Sequence, residues 1–101
     1  MENYLQCAWG DAIDNIGIDE VKNAITELQK MDDEHGAFWV SVVEEEETIL
    51  EVDKNMKMVA IFNGDVENPV VKQLKTWEEV LFFYGLLLNN DFESLRKRMK
   101  Q

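Results

Sequence analysis

The chain has 101 residues, room for one domain with a single modest core and too few for two. With 46% hydrophobic residues it is a folding sequence, not a disordered acidic tail. Its 21 acids against 10 bases, a formal net charge of -11, argue against direct binding to nucleic acid or to an anionic membrane, whose phosphates would be repelled.

The imbalance is local. Residues 1–67 hold 17 acids and 4 bases, whereas residues 68–101 hold 4 acids and 6 bases. Such a charge favours a basic partner or serves solubility alone. Cys7 is the one cysteine, so no internal disulfide can form and a disulfide-stapled secreted domain is excluded. Met1-Glu2-Asn3-Tyr4 lacks the basic and apolar stretches of a signal peptide. The longest apolar run, Val80 to Leu88, is well short of the ~20 residues that span a bilayer. The expected compartment is the cytoplasm.

In chain order, residues 1–17 are ambiguous. Tyr4, Leu5, Cys7, Ala8 and Trp9 fit an edge strand or a helical start, and Asp11 to Ile16 fits a short helical turn. From Asp19 the pattern is clear: Val21, Ala24, Ile25, Leu28 and Met31 recur at three- and four-residue steps, one face of an amphipathic helix. Asp19 is the expected N-cap, and Gly36 lets the chain turn out after Asp32-Asp33-Glu34-His35.

Three strands are predicted next, Ala37 to Val43, Thr48 to Val52 and Met56 to Phe62, from their β-branched and aromatic content. The short connections between them permit only antiparallel hairpins. Pro69 introduces a possible fourth strand, Val70 to Leu74, which the proline would place on an edge. Thr76-Trp77-Glu78-Glu79 reads as a capping box opening a helix whose inner stripe is Trp77, Val80, Leu81, Tyr84 and Leu88, with Phe82, Phe83, Leu86 and Leu87 widening it almost all round. A last helix runs from Asp91 to about Met99, with Phe92, Leu95 and Met99 inward.

The expected architecture is therefore a single α+β domain over residues 1–101. It is an antiparallel β-meander of three to four strands, with an N-terminal helix and two C-terminal helices packed on the sheet. Strand alternation puts Phe38, Val40 and Val42 on the core face and Trp39, Ser41 and Val43 on the other, where Ile49, Val59 and Ile61 join them. That second face is too apolar for open solvent. Either helices cover both faces, which is the expectation, or part of it is an interface.

No catalytic constellation stands out. His35 is the single histidine and lacks the partners of a zinc site. A Cys7–His35 nucleophile pair would lack a glycine-rich oxyanion loop and a third member. Asp32-Asp33-Glu34 lacks the alternate spacing of a calcium loop, and Gly10 and Gly17 are isolated, so no phosphate cradle is formed. The reading is non-enzymatic, with no cofactor and no metal.

What remains is charge. "VVEEEETILE" places Glu44, Glu45, Glu46 and Glu47 in a hairpin turn that Asn-Gly would close without repulsion. In an antiparallel meander this turn shares an end with Asp65 and Glu67, while Asp32, Asp33, Glu34 and Asp53 gather at the other end, partly offset by Lys54. Such a pole either keeps a small protein soluble or steers a basic partner. Trp39 is the best candidate for an interface anchor, Trp77 reads as core, and Trp9 has no assigned place.

An amphipathic helix (Ile18-Asp19-Glu20-Val21-Lys22-Asn23-Ala24-Ile25) leads into a hairpin bearing Gly36-Ala37-Phe38-Trp39-Val40 and Leu50-Glu51-Val52, and helices follow. The chain thereby resembles bacterial immunity proteins of polymorphic toxin and contact-dependent growth inhibition systems. The resemblance, one of architecture and composition over residues 18–90, implies a cytoplasmic inhibitor that binds the toxin domain of an effector, in many such systems a nuclease with a basic cleft. It carries no binding residue over. The alternatives are an acidic adaptor or nucleic-acid mimic regulating a basic cellular protein, and a small ligand-binding or catalytic domain using a pocket between sheet and C-terminal helices.

Overall fold

A computed structural model describes residues 2–32, 36–44 and 47–101. The described elements run β1 (Glu2–Cys7), β2 (Ala12–Asp14), α1 (Ile18–Leu28), β3 (Ala37–Val43), β4 (Glu47–Asp53), β5 (Lys57–Ile61), β6 (Val70–Gln73), α2 (Trp77–Leu88) and α3 (Phe92–Met99). They form an α+β fold whose antiparallel sheet has the order β2-β1-β3-β4-β5-β6.

The sheet has six strands, not three to four. The two extra ones come from the ambiguous N-terminal segment, where β2 replaces the helical turn expected over Asp11 to Ile16. Gly10 at φ 114° lets the chain reverse between them, and Asn15 at φ 54° ends β2. The Asn3 side chain then fixes the exit: its Oδ1 accepts from the Ile16 N–H at 2.8 Å and its Nδ2 donates to the Ile16 carbonyl at 3.2 Å. β1 is interior, with Leu5 opposite Val40 and Cys7 opposite Phe38. β6 is an edge, as Pro69 requires.

The N-cap of helix α1 lies two residues before the expected Asp19. Gly17 occupies the N-cap, and the Glu20 carboxylate reaches back to accept from its N–H at 2.6 Å. Thr76 does cap α2, accepting from Glu79 N at 3.2 Å, while the Glu79 carboxylate accepts from Lys75 N rather than from Thr76 N. Asp91 caps α3 by accepting from Ser94 N.

One core holds the fold together. Leu5, Phe38, Val40, Val42, Leu50, Val52, Met58 and Ala60 from the sheet meet Val21, Ile25 and Leu28 of α1, Val80, Phe83, Tyr84 and Leu87 of α2, and Leu95 and Met99 of α3. Tyr84 stacks on Phe38 with ring centroids 5.4 Å apart, and its hydroxyl donates to the Leu50 carbonyl at 2.9 Å, so this buried phenol is satisfied. All three helices therefore lie on the same side of the sheet, which overturns the expectation of a helix on each face. The inner stripe of α2 also shifts: Val80, Phe83, Tyr84 and Leu87 are buried, while Trp77, Leu81 and Leu88 only partly so. No helix among the described residues is long and apolar enough to cross a membrane.

Candidate functional site

With the helices on one side, the other side of the sheet is covered by no element among the described residues. Cross-strand register assembles it row by row. One row runs Gln6, Trp39, Glu51, Val59 and Val71 across β1, β3, β4, β5 and β6. The next runs Tyr4, Ser41, Ile49 and Ile61. Tyr4, Trp39, Ile49, Val59 and Ile61 are half-buried by their neighbours alone, and Val71 at the edge is 52% exposed. Directly opposite residues on one face have Cβ atoms ~4.5–5.5 Å apart, so these side chains make a continuous surface.

The surface is largely apolar in its middle, where Glu51 is the one acid, and acidic around it. Glu2, Asp14, Glu47 and Asp53 occupy the surrounding strand positions on this face, against the single strand base Lys57. Three of these carboxylates differ in what holds them. Glu47 accepts from the hydroxyl of Ser41 at 2.7 Å, which satisfies a serine that is itself fully buried between Tyr4 and Ile49. Asp53 accepts from the N–H groups of Asn55 and Lys57 at 2.8 and 3.0 Å and so closes the β4–β5 turn. Glu51 accepts no hydrogen bond among the described residues. Burial lifts its pKa above the ordinary carboxylate value, Asp53 lifts it further, and Lys57 partly opposes them.

Glu44 and Glu47, the described members of the glutamate run, have neighbours beyond those that charge counting names. Gly64 N donates to the Glu47 carbonyl at 3.1 Å, so the loop bearing Asp65 and Glu67 lies beside the β3–β4 turn, as meander geometry requires. Glu44, however, lines a cleft with Phe62, Glu93 and Arg96, and Asp65 lines another with Arg96 and Lys100. Arg96 lies 4.8 Å over the Phe62 ring. α3 thus brings cations to the helix side of this pole. Asp65 also accepts from the Asn68 amide, and Glu67 is exposed. Glu45 and Glu46 lie outside the described residues.

At the opposite end, Lys54 donates from Nζ to the Met31 carbonyl at 2.6 Å, tying the end of α1 to the β4–β5 turn. Gly36 is needed there because a Cβ would stand 2.7 Å from the Asp32 carbonyl oxygen. Asp33, Glu34 and His35 lie outside the described residues, and the Cys7–His35 pairing with them. Cys7 itself is buried, and burial together with the charge of Asp11 pushes its thiol up to about 11, which leaves little thiolate at neutral pH. Trp9 donates from Nε1 to Asp11 at 3.0 Å in the β1–β2 turn and packs on the edge of the core. No group of three or more His, Cys, Asp or Glu among the described residues is placed to hold a metal ion.

Sequence alternation places Trp39 on this face. Glu51 and Tyr4 are harder to find: Glu51 is one acid beside a run of four, and Tyr4 belongs to a segment whose pattern fits strand and helix alike. The signal for Glu51 was present in β4, where Glu47, Ile49, Glu51 and Asp53 alternate with Thr48, Leu50 and Val52. Comparison with protein-family models, with curated proteins and with solved structures finds no match to this chain.

Proposed function

We propose that this protein works by binding, as a non-enzymatic acidic inhibitor in the cytoplasm, and that its partner is a basic protein, the toxin domain of a bacterial effector. The observation that supports this reading is the uncovered face of the sheet, with Trp39 and its aliphatic neighbours at the centre and acids on strand positions around them. Interface cores are enriched in tryptophan and tyrosine, and an acidic surround speeds encounter with a basic partner and rejects anionic ones. A nuclease domain supplies the complementary charge, because its substrate cleft must attract phosphates. The immunity-protein resemblance supplies the identity of the partner; the geometry supports only the kind of surface that would meet it.

The test is stoichiometric. Where an effector gene adjoins its own, the protein is titrated against the toxin activity of that effector's C-terminal domain. Inhibition should reach a sharp equivalence point near one to one. Inhibition at far below one equivalent, or turnover of a substrate that is lost in Cys7→Ala or His35→Ala, would contradict it.

A further inference from the structure

Trp39 and Glu51 are directly opposite one another on β3 and β4, at the middle of the uncovered face. The indole is half-buried, and Glu51 is paired with Trp39 on one side and Val59 on the other, so in its row across the sheet it stands between an aromatic and an aliphatic residue. Lys57, whose charge reaches Glu51, makes no ion pair with it. This carboxylate is thus partly desolvated, accepts no hydrogen bond within the described chain, and lies on a face where acids outnumber bases.

We infer that Trp39 and Glu51 form a subsite for one arginine side chain of the partner protein, the guanidinium lying on the indole while its N–H fork meets the Glu51 carboxylate. The inference rests on the protein-binding reading and names the partner chemistry that the centre of this face selects. Arginine fits where lysine does not. Its planar, weakly hydrated head group stacks on an aromatic face and bonds a carboxylate through two parallel N–H groups, whereas an ammonium is a compact, strongly hydrated point charge. A second copy of this chain is the wrong occupant: the face would meet its own acids, and the described bases on α3 belong to the helix side of the sheet.

Two short peptides test it by NMR titration at low ionic strength, one alternating arginine with valine and one with lysine in place of every arginine. The arginine peptide should shift the Trp39 indole resonance together with the amides of Glu51 and Val59, and should bind about tenfold tighter than the lysine peptide. Glu51→Gln, close in shape, should abolish that preference while leaving the spectrum of the free protein native; Trp39→Leu should do the same. Equal affinity for the two peptides overturns the inference, as do shifts confined to the 44–47 and 65–67 loops. A dimer of the protein alone that Trp39→Leu dissociates also overturns it. If one-to-one inhibition holds but the arginine preference is absent, only the subsite fails. If the preference is present without inhibition, the identity of the partner fails instead.

Discussion

Glu51 carries the plainest energetic signature on the uncovered face. Its carboxyl is easier to protonate in the fold than in the open chain, chiefly because burial disfavours the charged form. A group whose folded pKa is raised favours folding at low pH and loses that contribution as pH rises through the folded value. At neutral pH the charged Glu51 is therefore a burden on stability. Glu51→Gln should raise the denaturant midpoint at pH 7, and the gain should shrink with falling pH and vanish below the ordinary glutamate pKa of about 4.3. A loss of stability at pH 7 would mean that the carboxylate has a structural partner. A residue that costs stability and, as inferred above, would anchor a ligand fits the common trade between the two. Glu47 is the contrast: it satisfies buried Ser41, so its removal should harm the fold rather than relieve it.

Helix α2 shows how finely packing selects among apolar residues. Nearly every position from Trp77 to Leu88 is hydrophobic, so periodicity alone left the buried arc free to rotate. The sheet fixes it. Tyr84 must reach Phe38 and the Leu50 carbonyl, and that contact turns Val80, Phe83 and Leu87 inward and leaves Leu81 half-buried. Leu87→Ala should cost about 2–5 kcal/mol in chemical denaturation, and Leu81→Ala distinctly less. Equal losses at the two positions would place the stripe where the sequence pattern put it. Elements with a single strong period were legible: the β3–β5 meander and α3 lie within a residue of their expected bounds, while α1 ends at Leu28, three residues before Met31, the last residue of its expected stripe. β1 and β2 were not, because Leu5 and Cys7 alternate over too few residues and β2 exposes every side chain it has. The placement of the helices was equally hidden. Which side of a sheet a helix takes depends on connections and handedness that hydrophobic pattern does not record.

The molecule as a whole segregates its charge. β6 turns Lys72 toward the helix side, where its Nζ donates to the Gln101 carbonyl, and α3 carries Arg96, Lys97 and Arg98 with Lys100 at its C-cap. Arg98 covers the exposed Phe82 ring at 5.0 Å, so the helix side presents cations over its apolar residues. The sheet side holds acids around an apolar centre. On the binding reading proposed above, a basic partner would be steered toward the sheet, with the glutamate run contributing to the field. Rim charges act mainly on association and its salt dependence, whereas desolvated central contacts act on dissociation. Replacing Glu44, Glu45, Glu46 and Glu47 together by glutamine should therefore slow association by roughly tenfold at low salt, with the difference fading as ionic strength rises. Because Glu47 also bonds Ser41, the quadruple variant is to be compared with one that retains Glu47.

The central claim is that the uncovered sheet face, centred on Trp39, is where the partner sits. The dissociation rate of the Trp39→Ala complex with the effector's toxin domain, read beside that of the Glu44→Gln, Glu45→Gln, Glu46→Gln variant, tests it most directly. Trp39→Ala should keep the fold and raise the dissociation rate by at least about thirtyfold with little change in association, as expected for a hot-spot truncation above ~2 kcal/mol, while the glutamine variant shows the reverse. An unchanged dissociation rate in Trp39→Ala, with the glutamine variant dissociating faster instead, would contradict the claim and move the interface to the β3–β4 turn.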